Sequence, residues 1–170
     1  MDNQAKHNEA LHKLAEMIGD IKFAMLTTVE PDGTLRSRPM VVQQTEFDGD
    51  LWFFTGASAP KVDEIERNPN VNVVFAKPSD NSYVSMSGQA RFTTDRAKAE
   101  QLWNPMLKAY FTDGLDDPNL GLLKIEVSQA EFWDSPSSSV VHLLRVAKSM
   151  ATGESYQEQA KSDDVKLNLS

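Results

Sequence analysis

What most constrains the fold is a repeated alternation of apolar and polar residues, broken at short intervals by tight turns. "KFAMLTTV" (22–29) runs into "EPDG" (30–33), and "TLRSRPMVVQQ" (34–44) is followed by "FDGD" (47–50). Pro, Asp, Asn and Gly are the residues that turns select. "LWFFTG" (51–56), "VNVVFA" (71–76) and "SYVSMSGQARFTT" (82–94) continue the series, with "KPSDN" (77–81) as the turn between the last two. "LGLLKIEVSQAEFWDS" (120–135) is a further long alternating run. Such runs with hairpin-length links predict an antiparallel meander. Gly88, inside the long run 82–94, predicts a bend or bulge.

Helical spacing is confined to three places. Residues 7–19 set Ala10, Leu11, Leu14, Ala15 and Ile18 on one face, with Gly19 as a stop signal. In "SAPKVDEIERNP" (58–69), Ser58 is a candidate cap, Pro60 suits the first turn, and Val62 and Ile65 face inward. Residues 95–111 read as helix interrupted at Pro105, and 112–119 as a loop. Segment 138–153 mixes strand and helix signals. From Glu154 the chain is polar, and Val165, Leu167 and Leu169 leave two readings of the tail, disordered or a late edge strand. The expectation is one domain over 1–153 with a tail over 154–170. It is mainly β with flanking helices, a small barrel or sandwich and not a doubly wound sheet.

Charge and composition then narrow the function. The formal charge is −8 and the isoelectric point about 4.8, which argues against general nucleic-acid binding. The chain has no cysteine, so disulfides and thiolate chemistry are excluded. "HNEALH" spaces His7 and His12 five apart, the wrong interval for the metalloprotease helix motif, and His142 lies in an apolar stretch. No metal site is expected. The polar N-terminus and the lack of a long apolar run predict a soluble, cytoplasmic protein with no membrane partner.

Against that acidic background, three features favour an anion. Arg36 and Arg38 share one strand face, because side chains alternate. They equally suit an edge strand guarded by charge and by Pro39. In "TGASAPK" a strand ends at Thr55 and a helix begins near Ser58, where free amides can bind an anion. Lys61 falls in the first helical turn, where a positive charge opposes the helix dipole. Trp52, Phe53 and Phe54 precede that point, and Tyr83 and Trp133 lie on later strands; each suits core packing or the wall of a planar ring.

In order, "RSRPM", "LWFFTGASAPKVDEIERNPNVNVVFA", "YVSMSGQARF" and "EFWDSP" resemble the FMN-binding split-barrel superfamily, which includes pyridoxamine 5′-phosphate oxidase. The resemblance covers about residues 8–150 and is strongest to the general stress branch. It implies a six-stranded antiparallel split β-barrel with Greek-key character, a homodimer, and FMN in a groove between subunits. By position, Arg38 matches the strand arginine that meets the FMN phosphate, with Pro39 and Met40 passing the ring. Phe54 and Thr55 match the pair ending the next strand, and Ser58 and Lys61 the phosphate-binding turn and helix start. Tyr83 stands where the oxidase has a flavin-contacting glutamine, and Trp133 matches a tryptophan supplied by the partner subunit.

The departures carry information too. Pro60 replaces an arginine of the oxidase's phosphate turn and Gln43 replaces a lysine, which implies fewer charges for the phosphate. "WNPMLKAYFTDGLDDPN" replaces the oxidase's pyridoxal-phosphate segment, and "VVHLLR" matches its His–Arg stretch only loosely, so pyridoxamine oxidation is not expected. The resemblance implies an FMN-dependent oxidoreductase with an unidentified small-molecule substrate or electron donor. The alternatives are a non-catalytic flavin carrier or sensor, or a split barrel holding haem or another cofactor. No catalytic acid or base stands out.

Overall fold

Alternation along the chain becomes alternation of burial in the computed structural model, which describes residues 3–43, 46–134 and 164–169. Segment 138–153, with His142 and "VVHLLR", lies outside the described residues, as does 154–163 of the tail. In β1 (Phe23–Val29), Ala24, Leu26 and Thr28 are buried while Phe23 and Met25 face outward. β2 (Leu35–Val41) and β3 (Asp50–Gly56) follow, then β4 (Asn70–Lys77), β5 (Ser82–Thr93) and β6 (Leu120–Asp134).

All six strands pair antiparallel, in the order β2-β1-β4-β5-β6-β3. Strands β2 and β3, neighbours in sequence, therefore end the sheet on opposite sides. The sheet curls into a split half-barrel with helices at its flanks. β7 (Asp164–Asn168) pairs with β6 over Gln129–Trp133, so the tail ends as an edge strand.

Curling a strand as long as β5 requires a break in register, and it occurs between Ser87 and Gly88. A Cβ on Gly88 would overlap the Glu126 carbonyl oxygen, so only glycine admits this approach. The main core fills the half-barrel with Leu26, Phe53, Val73, Phe75, Met86 and Leu123, and α1 (Asn3–Ile18) closes it with Leu14, Met17 and Ile18.

The other helices differ in detail from their sequence expectation. α2 (Pro60–Arg67) has Ala59 and not Ser58 as its N-cap, with no side-chain capping bond. α3 (Arg96–Leu102) is capped by Asp95 and gives way at Trp103 to a 3₁₀ turn, Pro105–Ala109. The break precedes Pro105 because proline disfavours a helical predecessor. A second 3₁₀ turn, Gly114–Asp116, lies in the expected loop. Leu107 and Phe111 pack with Phe54, Ala99 and Leu122 in a smaller core, and Trp103 meets Phe54 edge-on at 6.0 Å. That core ties the segment after α3 to the end of β3.

Candidate functional site

Where the ends of β2 and β3 approach across the split, a cleft of about 480 Å³ opens. This falls within the roughly 300–1,000 Å³ typical of small-molecule sites. Pro39, Met40, Val41 and Gln43 form one wall; Phe54, Thr55 and Gly56 at the end of β3 form the other. Lys61 enters from the first turn of α2. Leu107, Tyr110 and Phe111 come from the segment after α3, and Phe23 and Asn119 complete the lining.

The walls are apolar and Lys61 is the cation among the lining residues. Its Nζ donates to Thr55 Oγ1 at 3.3 Å. Burial lowers its pKa from the ordinary lysine value, and the positive Arg38 nearby lowers it further, against the pull of Glu64. A half-buried ammonium beside like charges gains from an anion. Apolar walls with one such cation fit a planar ring that carries an anionic tail.

Arg38 lies near Lys61 but is not among the lining residues, and within the chain it is engaged by Glu64. It pairs with Leu26 across the β1–β2 ladder and points to the inner side, where its Nη1 donates to Thr28 Oγ1 at 2.5 Å and its Nη2 to Glu64 Oε2 at 2.7 Å. Thr28 in turn donates to Glu64 Oε2 at 2.5 Å. Arg36 Nη1 lies 3.7 Å from the other oxygen of Glu64. The physical reason is burial: the Glu64 side chain is only 6% exposed, and a buried carboxylate needs compensating charge. Burial pushes the Glu64 carboxyl up, but the Thr28 hydroxyl and the Arg38 guanidinium outweigh it and hold it below the usual glutamate range.

Ser58 is likewise engaged outside the cleft lining. Its amide and hydroxyl donate to Asn119 Oδ1 at 3.0 and 3.1 Å. Ala57, Ala59 and Val62 amides also have acceptors within the chain, so the expected anion nest at this turn is mostly satisfied internally. Tyr83 and Trp133 face each other across the β5–β6 ladder, and within one chain neither lines the cleft. Of the sequence-predicted residues, the cleft thus gathers Pro39, Met40, Phe54, Thr55 and Lys61.

Sequence reasoning missed Glu64, Asn119 and the aromatic wall of Tyr110 and Phe111. For Glu64 a signal existed: it stands between the inward positions Val62 and Ile65, one helical turn from Lys61. Asn119, in "DDPN", carries no local mark, because its role is set by residues far away in the chain.

Residues 9–157 match the family described as pyridoxamine 5′-phosphate oxidase like. Protein bli-3 of Neurospora crassa is 29% identical over 164 residues, covering 91% of this chain and 78% of that protein. General stress protein 26 of Bacillus subtilis is 28% identical over 136 residues, covering 77% of this chain and 93% of that protein. Among solved structures, the general stress FMN/FAD binding protein of Xanthomonas citri superposes with a TM-score of 0.66 at 29% identity, covering 77% of this chain and 92% of that one. The family match takes in all six strands of the half-barrel and the cleft between β2 and β3. The chain therefore belongs to the pyridoxamine 5′-phosphate oxidase-like family, in its general stress branch.

Proposed function

We propose that this is a flavin-binding general stress protein that holds FMN in the β2–β3 cleft. One observation carries the reading: the half-buried Lys61 opens on an apolar cleft of about 480 Å³. Lys61 would hold the phosphate, with Thr55 fixing its ammonium. Pro39, Met40 and Phe54 would wall the ring and exclude water. The flavin supplies redox chemistry that no side chain offers. The name of the Xanthomonas citri relative, general stress FMN/FAD binding protein, supports the same ligand class.

Oxidoreduction of a small molecule is the activity that follows. A carrier or sensor is the second reading, and the lining favours it on one point: among the described residues its titratable groups are Lys61 and Tyr110, with no carboxylate or histidine to relay a proton. We propose further that the protein is a homodimer. Phe23, Met25, Val41 and Tyr83 are exposed large hydrophobics on the outer sheet face at one end of the β1, β2 and β5 strands, and they support an association surface there. Association there would also give Tyr83 and Trp133 a partner's cleft to border.

The visible spectrum of purified protein titrated with FMN tests the ligand. A protein that stays colourless and leaves FMN fluorescence unchanged overturns the reading. Lys61→Ala is expected to weaken FMN by about 1–3 kcal/mol, the range for a charge-assisted hydrogen bond, while riboflavin, which lacks the phosphate, is unaffected. Equal losses for both ligands would remove Lys61 from the phosphate. Multiple turnovers with NADH or NADPH and an acceptor separate an enzyme from a carrier.

A further inference from the structure

We propose that Asn119 is a positioning residue for the cleft: it ties down the turn between β3 and α2 and so fixes where Lys61 presents its charge. The proposal rests on the anion-binding role of Lys61 given above.

Three donors of the turn converge on this one residue. The Ala57 amide donates to the Asn119 backbone carbonyl at 2.8 Å. The Ser58 amide and hydroxyl both donate to Oδ1, at 3.0 and 3.1 Å. Because a backbone N–H can only donate, the bond from Ser58 sets the carboxamide: its oxygen faces Ser58 and its NH₂ turns toward Gly56. Asn119 is pinned from its own side as well, its amide donating to Asp117 Oδ1 at 2.9 Å.

Gly56 makes the arrangement possible. A Cβ there would stand 2.6 Å from Asn119 Nδ2, so a larger residue makes the carboxamide shift. Core packing does not account for Asn119, which is exposed. Nor can the helix hold its own start, since the Ala59 cap has no side-chain acceptor. Asn119, in the loop before β6, instead holds Ala57 and Ser58, the two residues ahead of that cap, and both Gly56 and Asn119 line the cleft beside Lys61.

The test uses the full chain and two readouts: FMN and riboflavin titration, and amide hydrogen exchange at Ala57, Ser58, Ala59 and Lys61. Asn119→Ala is expected to weaken FMN by about threefold to tenfold, the worth of one ordinary hydrogen bond, and to leave riboflavin within about twofold. It also speeds exchange at Ser58, whose amide loses its Oδ1 acceptor, while Ala57 keeps the backbone carbonyl of residue 119. Asn119→Asp keeps the acceptor and restores slow exchange. Unchanged exchange in Asn119→Ala overturns the proposal, as does an equal loss of FMN and riboflavin. If the wild type binds no FMN, the flavin reading falls by itself, and the exchange comparison alone decides whether Asn119 holds the turn.

Discussion

Glu64 governs the residues around it more than any other side chain near the cleft. Its buried carboxylate takes Arg38 and the Thr28 hydroxyl, which gives Arg38 a partner within the chain. Arg38→Ala removes the nearest counter-charge of that carboxylate, leaving it the Thr28 hydroxyl and the more distant Arg36, in a site where Thr28 is fully buried. We expect a loss of about 3–5 kcal/mol in urea unfolding, and partial recovery in Arg38→Met with Glu64→Gln. A single substitution costing under about 1 kcal/mol would show the pair to be solvated. The acid side follows from the direction of the shift. With its folded pKa below the unfolded value of about 4.3, Glu64 stabilises fully above that pH. The contribution is lost as pH falls through the folded pKa. The stability of Glu64→Gln therefore declines less steeply than that of the wild type below about pH 4, as urea midpoints across pH will record.

Helix α2 is short and poorly started. Asp63 in its first turn and Arg67 in its last suit the dipole, while Lys61 opposes it. Ala59, at φ −71 and ψ 137, already has cap geometry but lacks an acceptor. Ala59→Ser is expected to stabilise the protein by about 0.5–1 kcal/mol, read as a raised urea midpoint with unchanged slope. No gain would mean that the turn is already fully satisfied. The sequence located this helix correctly but placed its cap one residue early. Serine is the better capping residue by type, yet Ser58 is held by Asn119 from across the chain. The Gly88 bulge was legible for the opposite reason: a glycine inside an alternating strand signals a close backbone approach without help from distant residues.

At the scale of the whole molecule, the outer sheet face is the surface proposed above for association, and among the described residues it exposes Met25 and Val41. Met25→Glu, in the middle of β1 opposite Pro39 and Val74, places a charge there without touching the core. The expected result is a folded monomer by light scattering where the wild type is a dimer; a wild type that is monomeric at micromolar concentration removes the dimer. The strands, their turns, the bulge and the inward face of α2 were fixed by the sequence alone, because each depends on residues within a few positions of one another. So were the cleft residues Met40, Phe54, Thr55 and Lys61, which family motifs mark at their places in the chain. Tertiary structure decided the rest: that β2 and β3 end a sheet whose curl brings them together, that Arg38 belongs to Glu64, and that Asn119 holds Ser58. These are pairings between distant segments. Which partner wins is set by burial and by competition for hydrogen bonds, and both exist only once the sheet has closed around its core.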